Sequence, residues 1–139
     1  MNFKTHALRK GRYSKIGHSY HVVLSTQNNQ AAFIDFYMAR KMVLALIQSD
    51  QKNLTLTLAY VVMPDHIHWL FKLKAESLSR CVQRVKSQVS REVGYKIWQK
   101  GFYDHGIRSD ESLIRTARYI VANPLRAGLV NKIGDYPHW

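Results

Sequence analysis

Residues 54–73, LTLTLAYVVMPDHIHWLFKL, decide how this chain is read. Residues 54–63 open with strict apolar–polar alternation and are rich in β-branched side chains, the pattern of a half-buried strand. Pro64-Asp65 is turn chemistry: proline presets φ, and aspartate tolerates turn conformations and bonds nearby backbone. Residues 66–73 then return as another strand, so the stretch predicts a β-hairpin. Side chains alternate along a strand, so Ile67, Trp69, Phe71 and Leu73 share a uniformly apolar face. His66, His68, Leu70, Lys72 and Lys74 share the other, which reads as an open polar surface bearing two imidazoles.

On the N-terminal side, residues 20–26 (YHVVLST) read as a strand with Tyr20, Val22 and Leu24 on one face. After Phe33, the positions Phe36, Tyr37, Val43, Leu44 and Ile47 recur at helical spacing, interrupted by Arg40. On the C-terminal side a second helix buries Leu78, Cys81, Val82, Val85 and Val89 and turns a basic face, Arg80, Arg84, Ser87 and Arg91, outward. Residues 101–108 (GFYDHGIR) read as a short strand. Ser109 or Asp110 caps a third helix, predicted to end near Asn123 because Pro124 resists continuation. The order strand, helix, strand, strand, helix, strand, helix predicts an α+β fold. Its form is a ferredoxin-like (RRM-like) antiparallel sheet with helices packed on one face, plus a further helix near the C-terminus.

The bulk properties agree with one domain over residues 1–139. The composition is 46% hydrophobic and 12% aromatic, that of a globular chain. The longest uninterrupted apolar runs, residues 42–47 and 58–63, fall far short of the ~20 residues a bilayer span needs, so no membrane partner is expected. Residues 1–15 lack the apolar stretch of a secretory signal. Cys81 is the single cysteine and can form no internal disulfide, which makes the cytoplasm the expected location. No G-x-x-x-x-G-K-[ST] loop is present, so no nucleotide cofactor is expected.

Charge supplies the first functional signal. Twenty-one Lys and Arg against nine Asp and Glu give a formal charge of +12 and a pI near 10, which points to a polyanionic partner rather than to solubility alone. Residues 1–18 hold Lys4, Arg9, Lys10, Arg12 and Lys15 with no acid. Residues 76–101 hold six bases against two acids. A generically basic solvated surface is the alternative.

Two imidazoles two residues apart on a strand can hold a divalent metal, or can simply be paired with solvent or backbone. The third helix adds to them. On a helical wheel Leu113, Ile114, Ala117, Ile120 and Val121 form the apolar stripe, with Tyr119 almost opposite. Asn123 follows Tyr119 one turn on, with Thr116 between them in angle. If this helix packs beside the sheet, Tyr119 and Asn123 approach the histidines. Tyr119 as a boundary residue and Asn123 as a helix-ending amide are the plainer alternatives. A metal would polarise a phosphate and offset its developing charge. A phenol, with its ordinary pKa of about 10, is a nucleophile only when assisted.

At this point the residues resemble a known family. VVMPDHIHWLF (61–71) resembles the histidine–hydrophobic–histidine motif of the HUH single-tyrosine transposases. WQKGFYDHGIRSDE (98–111) and ARYIVANPLRAGLV (117–130) resemble the later motifs of the REP-associated tyrosine transposases, a branch of that family. The similarity runs from Tyr20 to Val130. It implies an enzyme that cleaves and rejoins single-stranded DNA carrying imperfect hairpins, with Tyr119 as nucleophile forming a 5′-phosphotyrosine link. It also implies Mg²⁺ or Mn²⁺ held by His66 and His68. Asn123 stands where the wider group has glutamine, one methylene longer, so water, His105 or Asp65 are alternative donors to the metal. The expected DNA contacts are Arg9, Lys10, Arg12 and Lys15 in a basic N-terminal segment over residues 1–18, with Arg80, Arg84, Lys86, Arg91, Arg108 and Arg115. The active species is expected as a monomer or a homodimer.

Trp69, Trp98, Phe102 and Tyr103 could stack unpaired bases, but Trp69 alternates with core residues and is read as core. Two other functions fit the residues. A non-catalytic nucleic-acid-binding module of ferredoxin-like fold would carry aromatics rather than histidines on its open sheet face. A hydrolytic metal-dependent nuclease would use activated water and leave Tyr119 idle.

Overall fold

The computed structural model describes residues 14–137. The N-terminal candidates Arg9, Lys10 and Arg12 lie outside the described residues. Four strands, β1 (Ser19–Ser25), β2 (Thr55–Val62), β3 (His66–Leu73) and β4 (Tyr103–Gly106), form one sheet in the order β2-β3-β1-β4. Every pairing is antiparallel. Three helices, α1 (Phe36–Gln51), α2 (Leu78–Val93) and α3 (Asp110–Arg126), alternate with them in the predicted order. This is the α+β ferredoxin-like arrangement expected from the sequence. No helix among the described residues is long and apolar enough to cross a membrane.

The hairpin closes as its residues dictate. The Met63 amide donates to the His66 carbonyl at 2.8 Å, leaving Pro64 and Asp65 at the turn. On one side of the sheet Val22, Leu24, Ile67, Trp69, Phe71 and Leu73 are buried against α1 and α2. The Trp69 indole N–H donates to Thr57 Oγ1 at 3.0 Å, so its one polar atom is satisfied. Helix α2 buries the stripe predicted for it, Leu78, Cys81, Val82, Val85 and Val89. It starts at Ser77, whose hydroxyl accepts from the Arg80 amide. It ends at Gly94, whose φ of 89° is the left-handed cap that a side chain disfavours.

Helix α1 corrects its expected stripe. Val43 is buried, but Phe36, Tyr37, Leu44 and Ile47 are exposed. The residues facing the core are Ala39, Met42, Val43, Ala45, Leu46 and Ser49. The smaller side chains let the helix sit close to the sheet and to α2, a preference that bulk hydrophobicity does not rank.

The larger correction concerns the other side of the sheet. It is not open: α3 lies across it and builds a second apolar cluster of Val61, Met63, Leu70, Ile120 and Tyr136. The Tyr136 hydroxyl donates to the Val62 carbonyl and fastens the segment after α3 to the same sheet. Two expectations for α3 change with this packing. Ile114 is exposed and Val121 only partly buried, while Ile120, Asn123 and Pro124 are buried. The helix also passes Pro124 and ends at Arg126. Proline removes one ladder hydrogen bond, a loss tolerable within the last turn and offset by burial of its ring.

Ile120 is the most deeply buried residue of α3. Ile120→Ala is expected to lower stability by about 2–5 kcal/mol, measured by urea unfolding followed by circular dichroism. An unchanged midpoint would mean that α3 is not docked on the sheet.

Candidate active site

Strand register decides what meets under α3. Val23 of β1 pairs with His68 of β3, and His21 pairs with Leu70 on one side and His105 on the other. Directly paired residues of an antiparallel sheet share a face, so His21, His66, His68, Tyr103 and His105 all point toward the α3 side. His68 is fully buried, and the His21 ring stacks beside it with centroids 5.1 Å apart. The His66 ring stands edge-on to His68 at 5.0 Å.

Each imidazole is tied to a particular neighbour. His66 Nδ1 donates to the Asp65 carboxylate at 2.7 Å. Nε2 of His21 and Nδ1 of His68 share a hydrogen bond of 2.9 Å. Asn123 Nδ2 reaches His68 Nε2 at 3.3 Å. Burial is the main reason that the His68 imidazole titrates far below its usual range, pushed down to about 2, with His21, His66 and Arg126 acting in the same direction. Burial, helped by His105, lowers His21 to about 4. Both rings are therefore neutral near pH 7 and offer lone pairs, the form that binds cations.

The fourth wall is Tyr119. It is half-buried on α3, its ring edge-on to His68 with centroids 5.7 Å apart and 6.4 Å from His21. The Arg126 guanidinium lies over the Tyr119 ring, 4.5 Å from its centroid. The structure thus brings His66, His68, Tyr119 and Asn123 together. It adds two residues that the sequence reading did not single out. Strand alternation opposite Tyr20, Val22 and Leu24 could have flagged His21. Arg126 stands seven residues after Tyr119, two turns on along the same face, and was lost because the helix was ended at Pro124.

His66 Nε2 is buried and has no hydrogen-bond partner among the described residues. An orphaned imidazole nitrogen beside the neutral His68 imidazole is what a divalent cation with nitrogen and oxygen ligands would use. His66 and His68 fit the role, with Asn123 in reach of the same edge after a half-turn of its amide. Asp65 is instead spent behind His66, where it orients the ring. His105 is exposed on β4. Among the described residues no group of three His, Cys, Asp or Glu side chains forms a metal cluster, so any further ligands would be Asn123, water or substrate.

The expected DNA-contacting residues fall elsewhere. Arg80, Arg84 and Arg91 are exposed on α2, across the sheet from the histidines. They border shallow clefts, one of about 530 Å³ between α2 and residues 96–101 that includes Arg91, Lys96 and Lys100. Arg84 is held by Glu76 through two hydrogen bonds of 2.7 and 2.9 Å. Lys86 is not an outward-facing cation. It is buried and donates to the carbonyls of Gln99 and Gly101 at 3.0 and 2.8 Å, bracing the segment that leads into β4. Arg115 pairs with Glu111, and Lys15 and Arg108 are exposed. Trp69, Trp98 and Phe102 are buried and unavailable to stack bases, whereas Tyr103 is partly exposed.

Comparison with known proteins places this geometry among transposases. The family model described as "Transposase IS200 like" matches residues 14–123. A REP-associated tyrosine transposase of Escherichia coli is 33% identical over 82 residues, covering 57% of this chain and 50% of that one. The chain spans about half the length of the curated relatives it matches. A solved REP-associated tyrosine transposase bound to a REP hairpin superposes with a TM-score of 0.79 at 26% identity, covering 91% of this chain and 78% of that one. A crystal structure of a Deinococcus radiodurans protein shares the fold, with a TM-score of 0.57, 20% identity and coverage of 80% and 94%.

The lowered imidazoles make a pH prediction for the metal-free chain. His21 and His68 titrate lower in the folded state than the 6.5 of an ordinary histidine. Below about pH 6.5 the unfolded chain therefore binds more protons, and stability falls as pH falls. The urea midpoint is expected to drop from about pH 6.5 through about pH 4, where His21 takes its proton, and on toward about pH 2 for His68, and to be insensitive to these groups above that window. A midpoint level across the window would show that the two rings are protonated without penalty.

Proposed function

We propose, from the premise that this chain belongs to the IS200-like transposase family, that it cleaves and rejoins single-stranded DNA through a covalent 5′-phosphotyrosine on Tyr119. The observation that carries this reading is the convergence of one phenol with two imidazoles. The Tyr119 ring lies 5.7 Å from that of His68, and His66 and His68 stand 5.0 Å apart. The substrate proposed is DNA with imperfect, REP-type hairpins, by analogy with the solved relative bound to a REP hairpin.

The chemistry follows from the positions of the groups. The Tyr119 hydroxyl attacks a scissile phosphate, its oxygen bonding to phosphorus as the bond to the 3′-oxygen breaks. The phenol loses its proton and the departing 3′-oxygen gains one. One phosphoester replaces another, so the link retains the energy needed for rejoining and no nucleotide is consumed. Arg126, already against the Tyr119 ring, is placed to offset phosphate charge as it develops. His66 and His68, with Asn123, would hold Mg²⁺ or Mn²⁺. When bound, that ion supplies Lewis-acid polarisation of the phosphate. Asp65 holds the His66 ring in place throughout.

Exposed bases serve the DNA outside the reacting phosphate. Arg80, Arg91 and Arg108 are free to meet backbone phosphates, which position a strand without reading its sequence. The N-terminal bases Arg9, Lys10 and Arg12 with Lys15 are proposed to hold the segment beside the hairpin. The site of action proposed is the cytoplasm, on the chromosomal DNA, by a monomer or a homodimer.

Labelled hairpin strands test the reading. Incubation with Mg²⁺ or Mn²⁺ is expected to yield a protein–DNA adduct that survives denaturation and disappears with a chelator. Tyr119→Phe is expected to abolish the adduct, with hairpin binding retained in a mobility-shift assay. Cleavage without an adduct, surviving in Tyr119→Phe, would indicate hydrolysis by water. Binding with neither cleavage nor adduct would indicate a hairpin-binding module.

A further inference from the structure

His21 has no part in the chemistry above, yet it bonds directly to His68, the most buried imidazole of the site. It comes from β1, two residues out of register with His68, and a sheet diagonal of this kind is spanned only by long or aromatic side chains. Its Nε2 meets His68 Nδ1 at 2.9 Å, and the two rings stack at 25°. Two neutral imidazoles can share such a bond in either sense. The far side of His68 decides between them. Asn123 Nδ2 lies 3.3 Å from His68 Nε2, and with the amide turned this way its N–H meets a lone pair on Nε2. In that arrangement the single proton of His68 sits on Nδ1, donated to His21.

We propose that His21 is a positioning residue that fixes His68 in its Nδ1–H tautomer, keeping the Nε2 lone pair for a divalent cation shared with His66. The inference rests on the reading of His66 and His68 as metal ligands. Asp65 does the same for His66 from the opposite side: its carboxylate accepts the Nδ1 proton at 2.7 Å and leaves Nε2 bare. The two ligands are thus oriented by two different acceptors, one anionic at the hairpin turn and one neutral on the neighbouring strand. Such outer partners set ligand tautomer and ring orientation, and their loss weakens metal affinity by about 10–100-fold.

Three proteins test this, all as the full chain: wild type, His21→Phe and His21→Gln. Phenylalanine keeps a ring against His68 but accepts no proton, whereas the Gln Oε1 takes the place of Nε2 as acceptor. Nitrogen-15 spectra of the metal-free imidazoles read the tautomer, and Mn²⁺ titration read by electron paramagnetic resonance gives affinity. Wild type is expected to show His68 protonated at Nδ1 and bare at Nε2. His21→Phe is expected to lose that preference and bind Mn²⁺ about 10–100-fold more weakly, with His21→Gln restoring both. A wild-type His68 protonated at Nε2, or a His21→Phe protein with unchanged tautomer or unchanged Mn²⁺ affinity, would overturn the proposal. Should His21→Phe not fold, the wild-type spectrum and a His21→Gln protein that fails to keep the Nδ1–H form decide it alone. If wild type binds no Mn²⁺, the metal reading falls while the tautomer comparison still judges His21.

Discussion

Everything at the site depends on α3 lying across the sheet face that carries the histidines. Ile120 packs against Val61 and Leu70, which flank His68 on β2 and β3. That contact excludes water from His68 and sets Tyr119 and Asn123 against it. Burial is what holds His21 and His68 neutral, and neutrality is what makes their nitrogens useful. Were α3 absent, the same histidines would be ordinary surface groups, titrating near pH 6.5 and facing only solvent.

Burying polar groups is costly unless each finds a partner. Here, among the described residues, His66 Nε2 stays unpaired, with Asp65 behind it and His68 alongside. A buried atom left without a partner in a site otherwise well satisfied is more informative than any of the bonds around it. It marks the direction in which the site is incomplete, and under the proposed reading a cation held by the two imidazoles would complete it.

The sheet also separates two kinds of surface. Helices α1 and α2 cover the apolar face and present Arg80, Arg84 and Arg91 to solvent, while α3 covers the face that carries the histidines. Nucleic acid held by α2 would have to pass round an edge of the sheet to reach Tyr119. Lys86 illustrates how poorly charge alone locates a contact. It lies on the same helix as these arginines, yet its ammonium is turned inward to two backbone carbonyls. The helical period ranks such positions by angle, but it does not show that the segment before β4 folds back over one of them.

Local pattern determined a good deal of this protein. Alternation in residues 54–73 made the hairpin and separated His66 and His68 from Trp69, and the α2 stripe was legible because five branched or sulfur-bearing side chains repeat at helical spacing. The order of elements then led to the α+β sheet, and the H-x-H pair with Tyr119 pointed to the chemistry proposed here. What tertiary structure alone decided was which surfaces meet. Alternation and helical period state which residues share a face, but not what covers it. So the covered histidine face, the inward Lys86, the reach of α3 past Pro124 and the pairing of His21 with His68 had to come from packing. His21 and His68 are 47 residues apart, and no local rule connects them. Only the register of β1 on β3 and the helix laid over both do.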